Sequence, residues 1–329
     1  MIKIINLVGI DDENKIIVEH NRGILSQLSF RIEGNNGFLY KLDNHKYDIS
    51  MLITGGEKFS LQLSFPKNAL LFNSIGMAEG NHNSLKQLSE LLNQVSNPVI
   101  NHPKNVLLTK RDGIEDLLSD IKGVIVPKCL KVIPRSIQDV SVFIREHNFT
   151  FPFLFRPLVA HGLQTLIRID SPEEMEKLHR FAFDGENEFY VTQFLDFKSE
   201  DELYRKMRFM IIEDEVIPRH LILSPSWQIH TEDTKMDAKF KTKQRQEEVD
   251  FLGKIEIVFG KQLMEIKSVL GLDYFGVDCA IGPRGEMVIF EINPFSMLGV
   301  GKEDAYHHDI ITHTLDALDR LIQLKASVS

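Results

Sequence analysis

Leu272-Asp273-Tyr274-Phe275-Gly276-Val277-Asp278 and, after it, Glu286-Met287-Val288-Ile289-Phe290-Glu291-Ile292-Asn293-Pro294 decide how this chain reads. Both stretches are strand-like, and Gly282-Pro283-Arg284-Gly285 has the turn chemistry to join them as a hairpin. Side chains two apart on a strand share a face, so Glu291 and Asn293 point the same way. With Asp278 on the neighbouring strand, three oxygen donors converge. Hard cations such as Mg²⁺ take donors of this kind and commonly add phosphate oxygens to them. Most acidic residues are solvated surface charges. These two stand inside apolar runs, Phe275 to Ile281 and Val288 to Ile292, and carboxylates so placed are usually paired or metal-bound.

The chain has 329 residues, long for one compact core, so two or three packed domains are expected. Hydrophobic residues make up 43% and charged residues 26%, ordinary for a soluble globular protein. The net charge of −9 argues against a general nucleic-acid or acidic-membrane binder, though not against a local basic pocket. Two isolated cysteines, Cys129 and Cys279, point to a reducing compartment without a disulfide framework. Strand alternation turns Cys279 away from Asp278, as a packing residue. No signal peptide is evident at Met1 to Asn6 and no run reaches membrane-span length, so a cytoplasmic location is the default. Self-association into a homo-oligomer is left open.

Residues 1–105 alternate strands (Ile4 to Val8, Ile49 to Thr54, Ala69 to Phe72, Pro98 to Ile100) with a helix from Ser84 to Val95. This pattern implies a mainly parallel, layered α/β domain, and no dinucleotide-binding glycine fingerprint is present. Residues 106–186 hold a short helix after Thr109-Lys110-Arg111-Asp112, a helix from Ser136 to Asn148, and strands at Phe153 to Arg156 and Thr165 to Ile169. A further helix is started by Ser171-Pro172-Glu173-Glu174, with a cap residue, proline and first-turn acids in order. In residues 187–329, strands run from Phe189 to Phe194, Tyr204 to Glu213 and Glu215 to Leu223. An amphipathic helix at 255–270 ends at Gly271, and the last helix spans Asp309 to Leu324. Lys239 to Gln246, the one basic stretch, reads as an exposed loop.

Gly276-Val277-Asp278 followed by Phe290-Glu291-Ile292-Asn293-Pro294 resembles the metal-binding signature of the ATP-grasp superfamily, in particular its glutathione-synthase-like and ribosomal-protein glutamate-ligase-like members. The likeness covers roughly residues 100 to 300. It implies an ATP-grasp fold behind an N-terminal α/β domain, with 106–186 as the small central lobe and 187–329 as the lobe carrying the metal. The implied reaction is ATP- and Mg²⁺-dependent joining of a carboxylate to an amine through an acyl phosphate. A small-molecule kinase and a non-catalytic nucleotide-binding module are the alternatives.

The same resemblance distributes roles. Asp278, Glu291 and Asn293 hold the metal. Phe151-Pro152-Phe153-Leu154-Phe155-Arg156-Pro157 is similar to the family's apolar strand ending in Lys-Pro, with Arg156 in the lysine's place. Arg111 or its neighbour Lys110 matches a second phosphate-contacting lysine. Arginine brings a rigid two-pronged fork where lysine brings a point charge. Leu158 to Thr165 resembles the loop over the triphosphate, with His161 and Gly162 as contacts. Gln193, Phe194 and Leu195 match the hinge that holds adenine, a slot needing one backbone donor and one acceptor in apolar surroundings. Lys206 and Arg208 share a strand face, and Arg208 with Arg219 is expected to stabilise the charge of acyl-phosphate formation. His220, Trp227 and His230 are left without assigned roles, as are the acid and the amine.

Overall fold

A computed structural model describes residues 1–21, 27–43, 45–55, 64–158, 165–229, 238–253, 258–294 and 305–327. Three sheets organise the chain. The N-terminal sheet has β1 (Ile2–Gly9), β4 (Tyr47–Thr54), β5 (Ala69–Asn73) and β6 (Val99–Ile100), all parallel in the order β4-β1-β5-β6. Helix α1 (His82–Leu92) crosses between its last two strands and buries Leu85, Leu88 and Leu92. A separate hairpin pairs β2 (Ile17–Asn21) with β3 (Gln27–Arg31).

A short helix α2 (Pro103–Val106) and α3 (Ile114–Leu118) lead to β7 (Val124–Ile125). The central sheet then forms from β8 (Cys129–Val132), β9 (Phe153–Pro157), β10 (Ile167–Ile169) and β11 (Phe189–Gln193), antiparallel in the order β10-β9-β11-β8. Helix α4 (Ile137–Glu146) covers it, capped by the Ser136 hydroxyl, which accepts from the Asp139 N–H. The helix expected after Ser171 is present as a 3₁₀ helix, Pro172–Arg180. Phe153, Phe155 and Phe189 are buried beneath it, and each large apolar side chain so placed contributes about 1.5–3 kcal/mol.

The third sheet runs β13-β12-β14-β15-β7, from β12 (Tyr204–Ile212), β13 (Glu215–Ser224), β14 (Tyr274–Ile281) and β15 (Met287–Asn293). All its pairings are antiparallel except the join of β15 to β7. Residues on both sides of the expected 186/187 boundary therefore share the central sheet, and β7 joins the C-terminal one. The predicted hairpin between β14 and β15 forms, with Gly285 at φ 86° in its turn. Helix α6 (Gly260–Leu270) ends as expected, with Gly271 left-handed and its N–H on the Lys267 carbonyl.

One expectation fails. The basic stretch read as a loop lies in a helix, α5 (Ala238–Leu252), packed on β13. Gln244 accepts from the Leu223 N–H and donates to the Leu221 carbonyl at 2.6 Å, covering the outer edge of the sheet.

The N-terminal and C-terminal sheets share one interior. Leu7, Leu71 and α1 pack in the same cluster as Phe209, Phe275 and Val277. A second shared cluster lies beneath α7 (Ala305–Ser327) and joins Phe72 to Met210 and Tyr274. Buried polar groups lock the junction. Asn101, with φ 52°, accepts from the Asp273 and Tyr274 N–H groups at 2.8 and 3.1 Å and donates to the Tyr274 carbonyl at 2.7 Å. Asn36 donates to the Tyr274 hydroxyl at 2.5 Å. The start of β14 is thus pinned to the N-terminal sheet, whereas the central sheet keeps its own core.

Candidate active site

Register assembles the site. His220 on β13, Arg208 on β12, Asp278 on β14 and Glu291 on β15 stand directly opposite one another across four strands. Partners at matching positions share a face, so the four form one row on one side of the sheet. The other side carries Met207, Phe209, Val277, Cys279 and Ile292 into the shared core. Cys279 thus points away from the row, as alternation predicted. Asn293 is two residues beyond Glu291 on the same strand face, opposite Gly276.

Two bulges flank the row. The β14–β15 register shifts after Asp278, which pairs with Glu291 while Cys279 pairs with Ile289. Phe290 is the extra residue, and both Phe290 and Glu291 reach the cleft, which plain alternation forbids. The β12–β13 register shifts after Arg208, and the extra residue there is Arg219. Of the two residues expected beside Arg208 on the adjoining strand, Arg219 and His220, it is His220 that stands opposite it. Arg219 is buried and, like Arg208 and Asn293, is not among the residues lining the cleft. Burial first, then the Arg208 charge, push the His220 imidazole down to about 3.

Charge is balanced along the row. The Asp278 side chain is only 7% exposed and receives both prongs of Arg208, with Nη2 to Oδ2 at 2.7 Å. Lys206 Nζ lies 3.3 Å from the same Oδ2. Burial alone would raise the Asp278 carboxyl. The Arg208 hydrogen bonds and the charges of Lys206 and Arg208 outweigh it and hold the group at about 2. Glu291 accepts from Arg111 Nη2 at 2.6 Å. Arg111 is bound on its other side by Glu79, which accepts from the Arg111 N–H at 3.1 Å and from Nη1 at 3.2 Å. Burial opposes the Arg111 charge, but Glu291 and Glu79 raise its pKa above the ordinary arginine value.

A cleft of about 210 Å³ opens between the central and C-terminal sheets. Arg111, Arg156, Lys206, Asp278 and Glu291 give it a charged wall. Leu154, Leu166, Phe194, Trp227, Ile229 and Phe290 give it an apolar one. Arg156 reaches it from β9, opposite Tyr190 on β11. Its pKa is lowered by burial first and then by the charge of Arg111. Two guanidiniums thus line one half-buried cleft.

Gln193, Phe194 and Leu195 line the cleft where β11 ends. The Gln193 side chain has another task than the one expected. Its carbonyl accepts from the Thr150 N–H at 3.0 Å, and its amide donates to the Pro152 and Thr150 carbonyls at 3.0 and 3.2 Å. It ties down the turn before β9. Trp227 walls the cleft and packs edge-on against Phe194 at 5.8 Å, while the Arg168 guanidinium lies 4.9 Å from Phe194 and 5.5 Å from Trp227. His161, Gly162 and His230 lie outside the described residues.

Sequence reasoning missed Glu79. Met77-Ala78-Glu79-Gly80 carries no motif, and only the folded contact shows the Glu79 side chain reaching Arg111. Among the described residues no cluster of three His, Cys, Asp or Glu side chains forms a metal cage. The donor set here is two carboxylates and an amide. Asp278, Glu291 and Asn293 are hard oxygen donors on one face in consecutive positions, which fits Mg²⁺.

No protein-family model matches the chain, and no curated protein sequence matches it significantly. Solved structures do. A D-alanine–D-alanine ligase from Bacillus anthracis, complexed with ATP, aligns with TM-score 0.56 at 12% identity over 99% of this chain and 97% of its own. The VanG D-Ala:D-Ser ligase from Enterococcus faecalis aligns with TM-score 0.54 at 15% identity, over 97% and 99%. A D-alanine–D-alanine ligase from Coxiella burnetii gives 0.53 at 12%, over 99% and 96%. At such identities the likeness establishes architecture. The chain has the ATP-grasp fold with an N-terminal layered α/β unit, as its last two strands implied.

Proposed function

We propose that the protein is an ATP- and Mg²⁺-dependent ligase that joins a carboxylate to an amine through an acyl phosphate. The observation carrying this reading is the cleft's charge pattern: Arg111, Arg156 and Lys206 line it beside the in-register pair Asp278 and Glu291. Phosphate oxygens satisfy the first group and a hard cation the second, and Mg·ATP brings both. The fold shared with a D-alanine–D-alanine ligase complexed with ATP supports the choice of nucleotide.

In this mechanism Arg111, Arg156 and Lys206 hold phosphate oxygens, and Asp278, Glu291 and Asn293 hold the metal. Bound there, Mg²⁺ draws negative charge from the phosphates. A substrate carboxylate oxygen attacks the γ-phosphorus, the bond to ADP breaks, and the acyl phosphate forms. The amine nitrogen then attacks the acyl carbon and phosphate leaves. The chain provides alignment and fixed charge, with no protein nucleophile. Arg208 holds Asp278 in place and brings positive charge close to the transferring group. The apolar wall around Phe194 and Trp227 receives the base, favouring adenine through the 194–195 backbone.

Calorimetric titration tests this directly. Mg·ATP is expected to bind more tightly than Mg·GTP, and Glu291→Gln to lose the magnesium dependence while keeping the fold. Equal affinity for the two nucleotides removes the hinge assignment, and absence of saturable binding removes the whole reading.

A further inference from the structure

We infer that Glu79, from the turn between β5 and α1, is a positioning residue that completes the nucleotide site by holding Arg111 in the cleft. This rests on the nucleotide reading above and extends the site to the N-terminal unit.

Three groups converge on one oxygen. Glu79 Oε1 accepts from the Arg111 N–H at 3.1 Å, from Arg111 Nη1 at 3.2 Å and from the Tyr190 hydroxyl at 3.5 Å. The Glu79 side chain is 11% exposed, a costly place for a carboxylate without a cationic partner. Its backbone is fixed on both sides. The Gly76 N–H donates to the Gly34 carbonyl at 2.9 Å, the Asn81 N–H to the Met77 carbonyl at 3.0 Å, and Ala78 is buried in the shared core. Glu79 is therefore a firm anchor rather than a wandering surface acid.

The division of labour on Arg111 follows. Its main chain and Nη1 belong to Glu79, while Nη2 belongs to Glu291 at 2.6 Å. Glu291 is one of the proposed metal ligands. When a cation arrives with the nucleotide, Nη2 can leave Glu291 for a phosphate oxygen without the arm losing its hold, because Glu79 keeps the other half. Without Glu79, Glu291 alone holds the guanidinium, and transfer to phosphate strips it of its last carboxylate. Tyr190 stands opposite Arg156 on the central sheet, so the same carboxylate lies where all three sheets meet.

The test uses the full chain and a non-hydrolysable Mg·ATP analogue, titrated calorimetrically into wild type, Glu79→Ala, Glu79→Gln, Arg111→Ala and the Glu79→Ala/Arg111→Ala double variant. Glu79→Ala is expected to weaken the analogue about tenfold, the equivalent of one charge-assisted contact. Glu79→Gln keeps an acceptor for the Arg111 N–H and is expected to lose less. It carries the test if the alanine variant fails to fold. The double variant is expected to bind no more weakly than Arg111→Ala alone, since Glu79 acts only through Arg111. A purely structural role predicts instead additive losses and a lowered thermal midpoint without nucleotide, and either result overturns the inference. Wild-type affinity in both Glu79 variants also overturns it while leaving the nucleotide site standing. Failure of the wild type itself to bind removes both.

Discussion

Arg208→Met separates the charge row from the sheet that carries it. The substitution keeps the aliphatic stem and removes the fork that holds Asp278, whose side chain is 7% exposed. Cutting one partner from a buried ion pair costs about 3–5 kcal/mol when nothing replaces it. Lys206 remains 3.3 Å from the carboxylate, so the expected loss is about 2–3 kcal/mol at neutral pH. The pH dependence has a definite sign. The folded Asp278 carboxyl, at about 2, lies below its ordinary value of 3.8. Its contribution is therefore present above about pH 4 and is lost as pH falls through the folded value. Without Arg208 the folded carboxyl rises, so the deficit of the variant should narrow as acid protonates Asp278 in both proteins. Urea titrations followed by circular dichroism, at neutral pH and at several acid values, measure this. Arg208→Met/Asp278→Asn should recover part of the loss, because it removes the stranded charge. A variant within about 0.5 kcal/mol of wild type at neutral pH, with no acid convergence, refutes the pairing as a source of stability.

Tyr274→Phe removes the hydroxyl bound by Asn36 at 2.5 Å and donating to the Asn73 carbonyl at 3.3 Å; a loss of about 1–2 kcal/mol is expected, and an unchanged thermal midpoint rejects the junction as a polar lock. His220→Gln should flatten the acid side of the stability curve. Burial and Arg208 keep the imidazole neutral down to about 3, so below about pH 6.5 the unfolded chain takes up a proton that the folded chain refuses, at up to about 1.4 kcal/mol per pH unit. Parallel curves for wild type and variant argue against a buried neutral His220. Arg156→Ala should weaken Mg·ATP by roughly tenfold to more than a hundredfold, and Arg156→Lys should retain part of the binding because the charge survives; normal binding by Arg156→Ala makes it a mere wall residue.

The shared strand face of Asp278, Glu291 and Asn293 was legible because strand alternation and a glycine-bounded turn are local. Two carboxylates in apolar runs joined by a short turn leave few arrangements, and the observed register brings Asp278 opposite Glu291. Bulges are not local in this sense. Nothing in Pro218-Arg219-His220 announces that the extra residue is Arg219, so the sequence could not choose between Arg219 and His220 for the position opposite Arg208. Helix α5 escaped for another reason. Its residues are good helix formers, but Phe240, Val249 and Phe251 make too sparse an apolar stripe to set against the run of charges, and docking through Gln244 is a tertiary event. Glu79 is the clearest case. A single acid in a loop carries no pattern, and its role depends on Arg111, which the fold brings to it from 32 positions further along the chain.

Product analysis tests the central claim most directly. Purified protein is incubated with Mg·ATP, a mixture of carboxylic acids and a mixture of amino acids, and followed for ADP and phosphate while mass spectrometry searches for new compounds. The account predicts a product with the summed mass of one acid and one amine less one water, formed with one ADP and one free phosphate, and absent with Glu291→Gln. A stable product that retains the phosphoryl group, with no free phosphate released, would contradict it.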